Sequence, residues 1–140
     1  MKLLVAHDGS PQSDKALETA AAMAKAMGAS VHIVTVVPDL CLSTEELSPE
    51  SCDVVDKSLA DEARGRMAKV ATSVESTGFQ ATNVIRNGRP ADEIVAGARD
   101  AVADMIFLGS TGKHGARKFI LGSVSSRVAE YAECNVLIVK

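Results

Sequence analysis

Apolar residues gather along this chain in five short runs, separated by longer segments in which they return every three or four positions. The runs are Leu3-Leu4-Val5-Ala6, Val31 through Val37, Ala81 through Ile85, Met105-Ile106-Phe107-Leu108 and Val136-Leu137-Ile138-Val139. Each has the length of a strand, and several are apolar at successive positions instead of alternating. That pattern belongs to parallel strands covered by helices on both faces.

The intervening segments carry helix signals. Ser10-Pro11 offers an N-cap followed by proline at the first helical position, and Gly28 offers the stop, with Ala16, Leu17, Ala20, Ala24 and Met27 on one stripe between them. Leu59, Ala63, Met67, Val70 and Val74 predict a second amphipathic helix ahead of Gly78. Gly88-Arg89-Pro90 opens a third, with Asp92 and Glu93 in the first turn, where carboxylates suit the macrodipole, and Ile94, Val95, Ala98 and Val102 facing inward. Gly122-Ser123 opens a fourth, whose buried side carries Val124, Val128 and Ala132. The weakly patterned stretch Pro38 to Asp53 predicts a mobile surface excursion.

The alternation β-α-β-α-β-α-β-α-β therefore predicts one α/β domain spanning residues 1–140, with right-handed crossovers between parallel strands. A chain of 140 residues needs neither disulfides nor a structural metal to hold its core. No apolar run approaches the ~20 residues that span a bilayer, and Met1 to Ala6 is too short for a signal peptide, so a cytoplasmic protein with no membrane contact is expected. Cys41, Cys52 and Cys134, odd in number and widely spaced, read as free thiols in a reducing compartment.

Charge narrows the function. A net charge of -3 argues against nucleic acid as a partner, since such binding relies on excess Lys and Arg, and four aromatics leave little to stack on bases. His7, His32 and His114 show no metal-ligand spacing with one another or with a cysteine pair.

In an open parallel sheet, ligands bind beyond the carboxyl ends of the strands, which directs attention to the loops after them. The loop after the fourth run reads Gly109-Ser110-Thr111-Gly112-Lys113-His114-Gly115 and leads to Gly122-Ser123 at a helix start. Its glycines permit close backbone approach, and a helix start offers amide groups to an anion. No carboxylate lies between Asp104 and Glu130, whereas Lys113, Arg117, Lys118 and Arg127 do. Positive potential at such a turn suits phosphate. The first loop contributes Asp8, which can accept a ribose hydroxyl or hold a Mg2+ ion carried by a nucleotide; Asp8-Gly9-Ser10-Pro11 is equally a helix-capping turn. Neither the P-loop pattern nor the dinucleotide fingerprint occurs.

The pattern Gly109-x2-Gly112-x9-Gly122-Ser123 resembles the motif of the universal stress protein family, in its ATP-binding branch. The likeness extends to Leu3 through Ser10, Gly88-Arg89-Pro90 and Asn135 through Val139. It implies a single open five-stranded parallel sheet in order 3-2-1-4-5 with helices on both faces, Rossmann-like and similar to the adenine nucleotide alpha hydrolases. It further implies adenine nucleotide as ligand, ATP or else ADP or AMP, with Mg2+. Asp8 then meets ribose and metal-bound phosphates, Val36 meets adenine, and Gly109, Gly112, Gly122 and Ser123 wrap phosphates and ribose. Leu108 and Val124 line the edges, and Ala6 and His7 fill neighbouring contact positions.

Two functions remain open on this reading. One is a nucleotide-dependent regulatory or signalling module in stress response with weak or no hydrolysis, since no P-loop lysine or arginine finger is recognisable. The other is a small phosphotransfer or phosphohydrolase enzyme using Asp8 or His7 as base. If the last strand is a sheet edge, its apolar row calls for cover, and the family resemblance implies a homodimer through residues 135–139. Sedimentation at tens of micromolar is expected to give the mass of a dimer, and a monomer alone would contradict the pairing.

Overall fold

A computed structural model describes residues 1–39, 48–75, 81–111 and 121–140. Nine elements follow one another: β1 (Lys2–Ala6), α1 (Pro11–Met27), β2 (Ser30–Pro38), α2 (Pro49–Glu75), β3 (Ala81–Gly88), α3 (Pro90–Ala101), β4 (Met105–Gly109), α4 (Ser123–Tyr131) and β5 (Asn135–Val139). The strands form one parallel sheet in the order β3-β2-β1-β4-β5. This is the order that the resemblance implied, and β1 lies at its centre between Ile33 and Phe107, both paired with Val5.

The period of two along β1 divides the core. Leu3 and Val5 join Val31, Ile33 and Phe107 beneath α1 and α2, where Ala16, Leu17, Ala20, Met67, Val70 and Val74 meet them. Leu4 points the other way, to Val34, Ile106 and Leu108 beneath α3 and α4, with Ile94, Val95, Ala98 and Val128. Burial on both faces explains why these strands are apolar at successive positions.

Local chemistry starts the helices where the sequence places them. Ser10 caps α1: its Oγ accepts the Ser13 amide at 3.1 Å, and Pro11 occupies the first turn. Proline likewise opens α3, whose Arg89 N-cap makes no side-chain capping bond. At the edge of the sheet, Arg86 on β3 donates to Glu93 at 2.7 Å and to Asp100 at 2.8 Å, both on α3. These bonds, Glu93 first, raise the guanidinium pKa further.

Four expectations change. The helix expected ahead of the third strand begins at Pro49, so residues 49–53 belong to α2 and the excursion is shorter than Pro38 to Asp53; residues 40–47 lie outside the described residues. Met27 and Val102 are exposed, at 55% and 71%. Both stand where a helix gives way to a left-handed residue, so the helical stripe no longer dictates their direction. Ala132 follows α4 as its cap and is half-buried beside the second core layer.

Finally, Cys52 is disulfide-bonded, while Cys134 is free. Spacing along the chain does not report distance in the fold, and the cysteines no longer argue for a reducing compartment. Cys41 lies outside the described residues. Burial raises the pKa of the Cys134 thiol, which packs as a small hydrophobe against the second core layer. Among the described residues, no helix is long and apolar enough to cross a membrane.

Phe107, with no exposed surface, carries β4 into the layer beneath α1 and α2. Phe107→Ala is expected to lower unfolding free energy by about 3–5 kcal/mol, combining lost transfer energy with a residual cavity. Urea denaturation followed by circular dichroism measures it.

Candidate functional site

The strand order reverses at β1. Its neighbours are β2, which precedes α2, and β4, which precedes α4. The chain leaving β1 turns toward the α1 and α2 face, whereas the chain leaving β4 turns toward the α3 and α4 face. A cavity of about 520 Å³ opens where the two routes part. This lies within the size range of small-molecule sites.

The first wall is the turn after β1. Asp8 accepts the Ser10 amide on Oδ1 at 2.9 Å, and Ser10 in turn caps α1. The capping role does not take Asp8 away from the cavity, because the residue that shapes the turn also lines it. Between them Gly9 adopts φ +82°, a left-handed conformation that strains residues bearing a side chain. His7 lies beneath this turn, 3% exposed, with Nε2 2.9 Å from Asp14 Oδ1 and Nδ1 buried without a partner. Its carbonyl accepts the Thr35 hydroxyl at 2.9 Å, and its amide donates to Val34 at the same distance, which fixes the end of β1 against β2.

The opposite wall is built around Gly109. A Cβ placed there would lie 2.6 Å from Gln12 Cβ and 3.0 Å from the Gln12 carbonyl carbon, so only glycine lets β4 end against the first turn of α1. Its carbonyl accepts the buried Ser125 hydroxyl at 2.7 Å, while the Gly122 amide donates to the Ser110 carbonyl at 2.8 Å. These two bonds draw the start of α4 onto the end of β4. The α4 N-terminus thus presents Ser123 and Val124 to the cavity, and the first amides of a helix have no partner within it.

Ala6, His7, Asp8, Val36, Leu108, Gly109, Gly122, Ser123 and Val124 all line this one cavity. Gly112, with Lys113, His114, Arg117 and Lys118, lies outside the described residues. Arg127 is drawn elsewhere, to Asp92 at 3.3 Å and over the Tyr131 ring.

Sequence reasoning missed a third wall. Leu59, Glu62, Ala63 and Arg66 reach the cavity from α2, and Pro90 and Ile94 reach it from the start of α3. The spacing 59, 62, 63, 66 is itself a helical stripe, but only its apolar members, Leu59 and Ala63, entered the helix pattern read from the sequence. Among the described residues no group of three His, Cys, Asp or Glu side chains could hold a metal ion. Asp8, one of the two carboxylates among the described lining residues with Glu62, has the chemistry to face an Mg2+ ion that keeps most of its waters.

Comparison with known proteins agrees with this architecture. The model of the universal stress protein family matches residues 1–140. The chain belongs to that family. It is 34% identical to the universal stress protein YxiE of Bacillus subtilis over 147 aligned positions, covering 99% of this chain and 98% of that one. The solved structure of protein MJ0577 superimposes with a TM-score of 0.86 at 29% identity, over 99% of this chain and 94% of that chain. A universal stress protein solved in complex with cAMP shares the fold, with a TM-score of 0.66 at 24% identity over 100% and 97% of the two chains.

Gly109→Ala is expected to push α1 off the end of β4 and cost about 1–3 kcal/mol, as overpacking of a tight contact does. A fall in thermal midpoint relative to wild type measures this, and an unchanged midpoint would show that the contact yields freely.

Proposed function

We propose that this universal stress protein is a nucleotide-dependent regulatory module whose cavity takes an adenine nucleotide, ATP or else ADP or AMP. One observation carries the reading: segments far apart in sequence, at the ends of β1 and β2, at the end of β4 and at the start of α4, bring Asp8, Val36, Gly109, Gly122 and Ser123 to a single cavity of suitable size. Val36 with Leu108 supplies apolar surface for the base. Asp8 accepts a ribose hydroxyl or faces the Mg2+ that accompanies the phosphates, and the ion screens phosphate charge when bound. Gly122, Ser123 and the α4 N-terminus receive the phosphates. Occupancy changes a surface that a partner reads. The reading of weak or absent hydrolysis rests on the sequence, in which no P-loop lysine or arginine finger is recognisable.

The β5 edge supports a homodimer. Val136 through Val139 are only half-buried in the single chain, and a second copy pairing along 135–139 would satisfy both the backbone and the apolar row.

A phosphotransfer or phosphohydrolase activity with Asp8 or His7 as base is favoured by one feature, the His7–Asp14 pair, in which a carboxylate orients an imidazole. Phosphate release from MgATP faster than roughly 1 per second would establish that reading over the regulatory one.

Mass spectrometry of the small molecules released on denaturing freshly purified protein is expected to show an adenine nucleotide. Ser123→Ala is expected to weaken ATP binding by about 1.5–3 kcal/mol, the usual worth of a hydrogen bond to a charged group. Gly112→Val, which blocks close backbone approach, is expected to abolish binding. Calorimetric titration with MgATP measures both, and unchanged affinity in the two variants would refute the site.

A further inference from the structure

The wall supplied by α2 holds a feature for which the motif does not account. Arg66 is well covered, its side chain 19% exposed, and its guanidinium lies directly on Gly9: a Cβ there would stand 2.6 Å from Arg66 Nε and 2.7 Å from its Cδ. The missing side chain at residue 9 is thus what admits the arginine to the turn that carries Asp8. Among the described residues lining the cavity, Arg66 is the one lysine or arginine, set against the carboxylates of Asp8 and Glu62. Glu62, one turn earlier on α2, accepts from Arg66 Nη2 at 2.8 Å and holds the guanidinium at the rim.

Surface arginines ordinarily extend into water; this one is folded over a glycine beside the ligand cavity. A guanidinium carries five donors, so one bond to Glu62 and close packing on Gly9 leave it further donor capacity. It stays charged at any physiological pH, and in a partly desolvated cleft it attracts an anion far more than it would in bulk water.

Resting on the proposed nucleotide reading, we infer that Arg66 is an additional ligand-binding residue, a cation delivered by α2 that contacts the phosphate of the bound nucleotide. It makes the cavity prefer phosphorylated ligands over the bare nucleoside. The site would then be walled by α2 as well as by the turn after β1 and the start of α4.

Calorimetric titration of wild type, Arg66→Met and Arg66→Lys with MgATP, AMP and adenosine tests the assignment. Methionine keeps much of the aliphatic stem over Gly9 and removes the charge. Arg66→Met is expected to bind ATP and AMP about tenfold or more weakly, with adenosine within about twofold of wild type and lysine restoring part of the loss. Equal weakening for adenosine would assign Arg66 to cavity shape alone and overturn the inference, as would unchanged ATP and AMP affinity in Arg66→Met. Should Arg66→Met fail to fold, Arg66→Gln carries the same comparison. A wild type that binds none of the three would overturn the proposed function itself, whereas a wild type that binds ATP equally with and without Arg66 leaves that function standing and removes only the arginine.

Discussion

Parallel strands cannot be joined by tight turns, so every connection in this sheet must cross a face, and the face chosen decides where the ends of the strands are left open. At β1 the choice reverses. The chain leaves β1 for α1 on one side and leaves β4 for α4 on the other, while β1 and β4 remain hydrogen-bonded neighbours. Two adjacent connections diverge, and among the described residues the space between them stays open. The cavity is a consequence of this topology before any particular side chain is considered.

What turns the gap into a defined site is close contact between its two walls. Gly109 rests against Gln12, the Ser125 hydroxyl bonds the Gly109 carbonyl, and the Gly122 amide bonds the Ser110 carbonyl. These contacts fix the α4 N-terminus relative to the first turn. Asp8 and Ser10 hold that turn through a short relay of side-chain-to-amide bonds. Helix capping and the cavity wall thereby share residues, and a substitution at Asp8 would disturb both.

Much of this was legible beforehand because it rests on local rules. Ser10, Pro11 and Pro90 mark helix starts through their own conformational chemistry, and the unbroken apolar runs mark strands covered twice. The motif glycines stood out because the spacing Gly109-x2-Gly112-x9-Gly122-Ser123 matches the pattern of the universal stress protein family. Met27 and Val102 escaped the same reasoning, since periodicity stops being informative where the backbone leaves the helix. Cys52 escaped it because a disulfide depends on distance in space.

The α2 wall shows the boundary most plainly. Residue order along the chain carries propensity, capping and the alternation of buried positions, all of which act between near neighbours. From these came the nine elements and the sheet class, while the motif residues came from the family resemblance. Whether Glu62 and Arg66 face water or a cavity is a question of how a helix 27 residues long is rotated and laid across the sheet, which packing of Met67, Val70 and Val74 against Leu3, Val31 and Ile33 resolves. A charged pair four residues apart looks the same in either setting until the core has set the helix in place, because the forces that orient α2 act through the apolar stripe beside the pair.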